Sequence, residues 1–315
     1  MPAAAAPAPD LAALADEGAR PALLASCRAI AALPSDHRLG GDGRGSRAGD
    51  WTGFCAALVA GAPLRELLPA LLTPRDQGEG RLTGYFEPEL RGSLVPEGPF
   101  RIPLRAPPPE PVSATRAEIA AGALDGRGLE LVWVESPAEA FFLHIQGSGR
   151  IRLPDGRLIR LGYAGRNSHP YVPIGRLLIA RGAIAREAMS MQAILAWLAA
   201  APEAEARALL AANPSYIFFR VLEGLGEEEG PPGSLGVPLL PRRSAAVDPA
   251  HLPLGAPLLV FGEETGLPVL MVAQDTGSAI RGSARIDAFW GSGAEAAERA
   301  GRQNRMIRLF VLLPR

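Results

Sequence analysis

Apolar residues in the first part of the chain recur every three or four positions. From Leu11 to Leu33 this spacing predicts helix, with a break or new start at Pro21. The polar stretch GGDGRGSRAGD (40–50) predicts a loop. Asp50 at its end is placed to cap a helix carrying Trp51, Phe54, Cys55, Leu58 and Val59. A further helical stretch runs to about Leu72. The pattern then changes. RLTGYFEPEL reads as a strand that turns at Pro88, and PFRIPLRAPPPEP as an extended, proline-rich crossing. LELVWVES and EAFFLHIQGSG are apolar runs of strand length. RIRLPDGRLIRLGYAG alternates Ile/Leu with Arg around Asp155-Gly156, which predicts a β-hairpin. Helical spacing returns from Ile174 to about Leu210, where Met189, Met191, Ile194 and Trp197 read as core. SYIFFRV (215–221) reads as a strand. The short apolar runs from 235 to the closing RMIRLFVLLP read as the last strands of a barrel.

This order of helices, strands, helices and strands predicts an α+β fold, mainly β with helices. It also predicts a discontinuous domain, 1–84 plus 221–315, interrupted by an insertion over 85–220. The opening MPAAAAPAP is of low complexity and is expected to be disordered.

Composition removes several classes of function. The 315 residues are 48% hydrophobic and 21% charged with a formal net charge of −1, which offers no footprint for nucleic acid. The main acidic run, Glu227-Glu228-Glu229, lies among glycines and prolines and reads as a solvated loop. Every basic residue is arginine, so a phosphate-binding loop lysine and a lysine Schiff base are both absent. His37, His144, His169 and His251 are scattered, which argues against a metal site. LLASC (23–27) resembles a lipoprotein cleavage box, but Asp10, Asp16, Glu17 and Arg20 interrupt the apolar run that should precede it. The expectation is an amphipathic helix in a soluble chain without a visible export signal. Cys27 and Cys55 are the only cysteines. Free helix thiols and a disulfide are equally open on sequence, and export would favour the bridge.

Asp275-Thr276-Gly277-Ser278 spells the active-site turn of aspartic proteases. Those enzymes need two aspartates sharing a proton, each in its own turn, and the chain has one such turn. A plain turn residue is the simpler reading of Asp275. Asp287 lies in RIDAFWG, which alternates like a strand, beside Ile286, Phe289 and Trp290. Burying a lone carboxylate there is costly, so a neutral acid results, a property suited to protonating a glycosidic oxygen. Arg285, two positions back on the same strand face, argues for an ionised Asp287 instead. The residues alone leave both open.

From Leu82 to Pro314 the chain resembles the membrane-bound lytic murein transglycosylase A family. LTGYFEPEL, HIQGSGRIRLPDG, YAGRNSHPYVPIGRLLI, MSMQAI, NPSYIFF, VPLLPRRSAAVD and AQDTGSAIRG…RIDAFWGSGAEAAERAG follow its motifs in order. The closing segment is similar to the family's three-aspartate domain. The resemblance implies a double-psi β-barrel interrupted by a second β-rich domain, with peptidoglycan glycan strands in the groove between them. It implies an enzyme with no cofactor and no metal, periplasmic and associated with the outer membrane, although no anchor is visible. By motif the acid and base is Asp287. It would protonate the oxygen between N-acetylmuramic acid and N-acetylglucosamine, after which the muramoyl C6 hydroxyl closes a 1,6-anhydro ring. Asp275 would be a supporting carboxylate in the cleft. Substrate contacts carry over onto Tyr85, Gln146, Ser148, Gly149 and Tyr163, with Trp290 and Gly291 shaping the sugar subsite. Two rival readings are a glycoside hydrolase using Asp275 and Asp287 together, and a non-catalytic glycan-binding barrel.

Overall fold

The structure, a computed structural model, describes residues 7–226 and 229–315. The first six residues of the low-complexity opening, and Glu227 and Glu228 of the acidic run, lie outside the described residues.

The chain begins with three helices. Asp16 caps a short 3-10 turn, Glu17–Ala19, that feeds α1 (Arg20–Ala31). Pro21 falls in the first turn of α1, where its missing N–H has no helical partner to lose. α2 (Thr52–Val59) and α3 (Leu64–Leu71) follow. Asp50 does not cap α2. It lies within a 3-10 turn, Ala48–Trp51, and its carboxylate accepts from the Gly45 and Arg47 amides, closing the preceding loop instead. A disulfide joins Cys27 on α1 to Cys55 on α2.

β1 (Leu72–Glu87) starts nine residues before the strand expected from Arg81. Its polar first half, TPRDQGEG, has little strand character of its own. The ladder is imposed by the last strand, β12 (Asn304–Pro314), with Leu72 opposite Pro314 and Thr83 opposite Asn304, and Gly78 turns a bulge at φ 83°. Next come β2 (Glu89–Ser93), β3 (Ile102–Arg105), α4 (Arg116–Ala120) and β4 (Glu130–Val134).

The run EAFFLHIQ, read as strand-length, is a helix, α5 (Pro137–Gln146). Ser136 caps it by accepting from the Glu139 amide, Pro137 opens it, and Gly147 at φ 78° ends it. The misreading has a physical cause. Ala140 and Leu143 pack with the sheet residues Leu104, Val132 and Ile151, while Phe141 and Phe142 pack with Ile174, Leu178 and Ile194. A helix buried on two sides has no polar stripe to reveal its period.

The hairpin forms from β5 (Ser148–Arg152) and β6 (Leu158–Arg166), with Arg152 opposite Leu158. Helices α6 (Ile174–Ala180), α7 (Met191–Ala200) and α8 (Glu203–Ala211) lead to β7 (Ile217–Leu222). The last segment holds β8 (Ser244–Val247), β9 (Pro257–Phe261), β10 (Leu270–Thr276), β11 (Arg285–Ser292), α9 (Gly293–Arg302) and β12 (Asn304–Pro314).

The chain divides into two compact units. One comprises Met1–Phe86, Glu228–Gly291 and Glu298–Arg315. Its sheet is a closed barrel in the order β1-β11-β8-β10-β9-β12. Leucines and valines of the barrel strands share one core with Leu23, Ile30, Trp51 and Phe54 of the helical segment. The other unit comprises Glu87–Glu227 and Ser292–Ala297, and holds a six-stranded sheet ordered β3-β4-β2-β5-β6-β7. Among the described residues no helix is long and apolar enough to cross a membrane.

Candidate active site

Strand pairing brings two aspartates into one row of the barrel. Ala246 of β8 is opposite Asp275 of β10 on one side and opposite Asp287 of β11 on the other. Residues directly opposite one another project from the same sheet face. Two strand spacings put the aspartate Cα atoms roughly 10 Å apart. A bulge between Ala273 and Asp275 sets this row, since in unbroken register Gln274 would stand opposite Ala246. Gln274 is instead fully buried, donating to Ala22 O and Ser26 Oγ and accepting from Ser244 Oγ. The helical segment thus helps to place Asp275 by tying down its neighbour.

β1 supplies the partners of both carboxylates. Thr83 Oγ1 donates to Asp287 Oδ1 at 2.6 Å, and Tyr85 Oη donates to Asp275 Oδ2 at 2.9 Å. Asp275 Oδ1 also accepts from the Ser234 amide and hydroxyl, each at 2.9 Å. Both aspartates are half-buried. Burial pushes the Asp287 carboxyl up to about 6, against the opposing hydrogen bond from Thr83 and the charge of Arg285, with the Asp275 charge adding to the rise. Burial raises Asp275 too, while the Thr276 amide, Tyr85 and Ser234 resist it. The Tyr85 phenol is driven well above its ordinary value by burial and the two carboxylates, so it remains a donor. Near neutral pH one carboxyl of the row is thus able to hold and release a proton.

The loop from Gly277 to Ala284 joins the two aspartate strands. Asp248, just past β8, anchors it by accepting from the Gly282 amide at 2.8 Å, with Arg281 Nη1 3.4 Å away. Gly84 lies between Thr83 and Tyr85, and a Cβ there would fall 2.6 Å from Trp290 Nε1 and 2.9 Å from Ala300 Cα. Only glycine lets the strand pass this close. Trp290, expected to shape a sugar subsite, packs inside the unit at 7% exposure, with the Arg299 guanidinium 5.8 Å over its ring. The close approach of Gly84 and the cover of Arg299 leave it little face to offer a ligand. Gly291 is buried at φ 98° beside Pro241.

The remaining sequence candidates lie in the second unit. Gln146 ends α5, and Ser148 and Gly149 begin β5; the first two are half-buried. Gly149 is buried, and a Cβ on it would strike Leu143 Cδ1 at 2.1 Å. Tyr163 on β6 is 53% exposed, a flat ring open to solvent. Sequence reasoning did not single out Thr83, Ser234 or Asp248. Among the described residues no group of three or more His, Cys, Asp and Glu is placed to hold a metal ion.

Residues 81–220 match the family described as the MltA specific insert domain, and residues 243–313 match the 3D domain. Two proteins named membrane-bound lytic murein transglycosylase A are similar over 247 residues. That of Vibrio cholerae is 37% identical and that of Escherichia coli K12 39% identical. The match spans 75% of this chain and 66% of each relative, just under two thirds of their length. A crystal structure of a membrane-bound lytic murein transglycosylase from Agrobacterium tumefaciens superposes with a TM-score of 0.86 at 32% identity, covering 98% of this chain and 95% of that one. E. coli MltA with bound chitohexaose gives 0.75 at 32% identity, covering 94% and 90%.

Proposed function

The chain belongs to the membrane-bound lytic murein transglycosylase A family, and from that premise we propose that it cleaves the glycan strands of peptidoglycan, with Asp287 as the single acid and base. The observation that carries this reading is the half-buried Asp287 carboxyl, raised to about 6 and accepting a hydrogen bond from the Thr83 hydroxyl. The bond cut is the β-1,4 link from N-acetylmuramic acid to N-acetylglucosamine. Asp287 gives its proton to the linking oxygen as the bond to muramoyl C1 breaks. The resulting carboxylate takes the proton of the C6 hydroxyl, and that oxygen bonds to C1. The products are a 1,6-anhydromuramoyl end and a free N-acetylglucosamine hydroxyl, no water is consumed, and Asp287 is left protonated for the next cycle. Attack within one sugar needs no second carboxylate to activate water, and proximity favours it.

Asp275, steadied by Tyr85 and Ser234, offsets positive charge growing on the sugar ring. Gln146, Ser148, Gly149 and the exposed Tyr163 contact the glycan, while Trp290 and Gly291 contribute through packing. Similarity to a relative crystallised with chitohexaose supports an oligosaccharide ligand. The names of the relatives support a place in the bacterial cell envelope, and we assign it to the periplasm, in association with the outer membrane.

Asp287→Asn tests the assignment. The variant should still sediment with purified peptidoglycan yet release soluble fragments at least about a hundredfold more slowly. Release at the wild-type rate would remove Asp287 from the chemistry.

A further inference from the structure

Asp287 is not approached by Arg285 directly but through Thr83. Arg285 Nη2 donates to Thr83 Oγ1 at 2.8 Å, and Thr83 Oγ1 lies 2.6 Å from Asp287 Oδ1. A guanidinium has donors and no acceptor, whereas a threonine hydroxyl has one hydrogen and two lone pairs. Arg285 therefore occupies a lone pair of Thr83 and leaves its hydrogen to point at Asp287. If Oδ1 carried the acid proton, Thr83 would accept from both sides. Its own hydrogen would then have no acceptor among the described residues. The guanidinium is itself fixed, since its Nη1 donates to the carbonyls of Ile286 at 2.5 Å and Arg81 at 3.4 Å.

We propose that Arg285 and Thr83 are positioning residues forming a one-way donor relay, which makes Oδ1 of Asp287 a permanent acceptor and confines the acid proton to Oδ2. The proposal rests on the reading of Asp287 as the proton donor. The relay has two consequences. Each turnover finds the proton on the same oxygen, so the acid is oriented before substrate arrives. The bond from Thr83 also stabilises the ionised carboxyl, which limits the rise caused by burial. The charged and titratable groups acting on Asp287 are Arg285 on its own strand, Asp275 on β10 and Tyr85 on β1, and only Asp275 pushes the carboxyl the other way from Arg285. This geometry joins the two sequence signals that conflicted: Arg285 does favour the ionised form, but at one remove.

The test is a 13C titration of the Asp287 carboxyl in wild type, Thr83→Val and Thr83→Ser, assigned by its disappearance in Asp287→Asn, beside the pH dependence of peptidoglycan cleavage. Thr83→Val should titrate about one pH unit higher, because a hydrogen bond to the ionised form is lost. Thr83→Ser should return to within a few tenths of a unit, and the alkaline limb of cleavage should move in step. A purely structural threonine would lower the rate without moving the limb. Unshifted titration in Thr83→Val overturns the relay. A shifted carboxyl with an unshifted cleavage limb keeps the relay and instead refutes Asp287 as the proton donor. Should the valine variant not fold, Arg285→Met removes the first donor. An Asp287 that titrates at the wild-type value there would equally overturn the proposal.

Discussion

Two carboxyls in this chain are met by neighbouring side chains in opposite ways. Glu87, at the end of β1, has no exposed surface and is met head-on by guanidiniums: Arg150 Nε at 2.8 Å and Arg160 Nη2 at 3.0 Å from both oxygens. Asp287 is met by a hydroxyl, with its arginine held one residue away. The first arrangement is a buried cluster of one carboxylate and two guanidiniums in direct contact, a structural device. The second leaves a carboxyl that burial pushes toward the neutral form and that a nearby cation only partly restores. Burial thus serves different ends in the two places, and the discriminating feature is the distance at which the positive charge is held. Alternate residues of β1, namely Thr83, Tyr85 and Glu87, each engage a carboxyl or supply one.

The sharpest way to break this comparison is to neutralise each carboxyl. Asp287→Asn should lower cleavage by about a hundredfold to ten-thousandfold, the range for a lost general acid, measured as muropeptide release. The same variant should be relatively more stable at neutral pH than at acid pH. Wild-type Asp287 binds its proton more tightly folded, near 6, than at the ordinary 3.8. As pH rises from about 4 to about 6 the folded protein must surrender a proton it favours, so wild-type stability falls across that window. Asparagine does not titrate, so the melting temperature of the variant should gain on that of the wild type over the same range.

Glu87→Gln should do the reverse. It removes the charge that two buried guanidiniums face and should cost about 3–5 kcal/mol in urea unfolding, while leaving the alkaline limb of cleavage where it was. A cost near zero would mean that the arginine pair finds other partners. A smaller effect is expected from the helical segment. Opening the Cys27–Cys55 disulfide, which closes a loop with a separation of 28 residues, should lower stability by about 3 kcal/mol. Melting with and without reductant measures it.

Much of this arrangement was readable from the chain, and the unread parts have common causes. The hairpin of β5 and β6 was visible because alternation survives where one strand face is covered differently from the other. α5 was hidden because both of its sides are buried. The first half of β1 was hidden because its conformation is set by β12, more than two hundred residues away. The same holds for side chains near the aspartates. Asp275 attracts notice through its Asp-Thr-Gly-Ser turn and Asp287 as a carboxylate among apolar neighbours, and the conflict between Arg285 and burial was already apparent. Thr83 carries no such signal, since a β-branched residue in a strand is ordinary. Its meaning comes only from Asp287, 204 positions later. Trp290, carried over from the resemblance as part of a sugar subsite, is largely buried, with Gly84 packed against its Nε1 edge, a contact that only the fold discloses.

The most direct test of the central claim, that one aspartate closes a ring within the substrate, is the mass of the muropeptides released from purified peptidoglycan by wild type and by Asp287→Asn. The account predicts anhydromuropeptides, one water lighter than the hydrated forms, from wild type alone. Hydrated muropeptides would contradict it and place Asp275 as a base acting on water. Absence of products from the wild type, with a control muramidase active on the same material, would contradict it too and leave a barrel that binds glycan without cutting it.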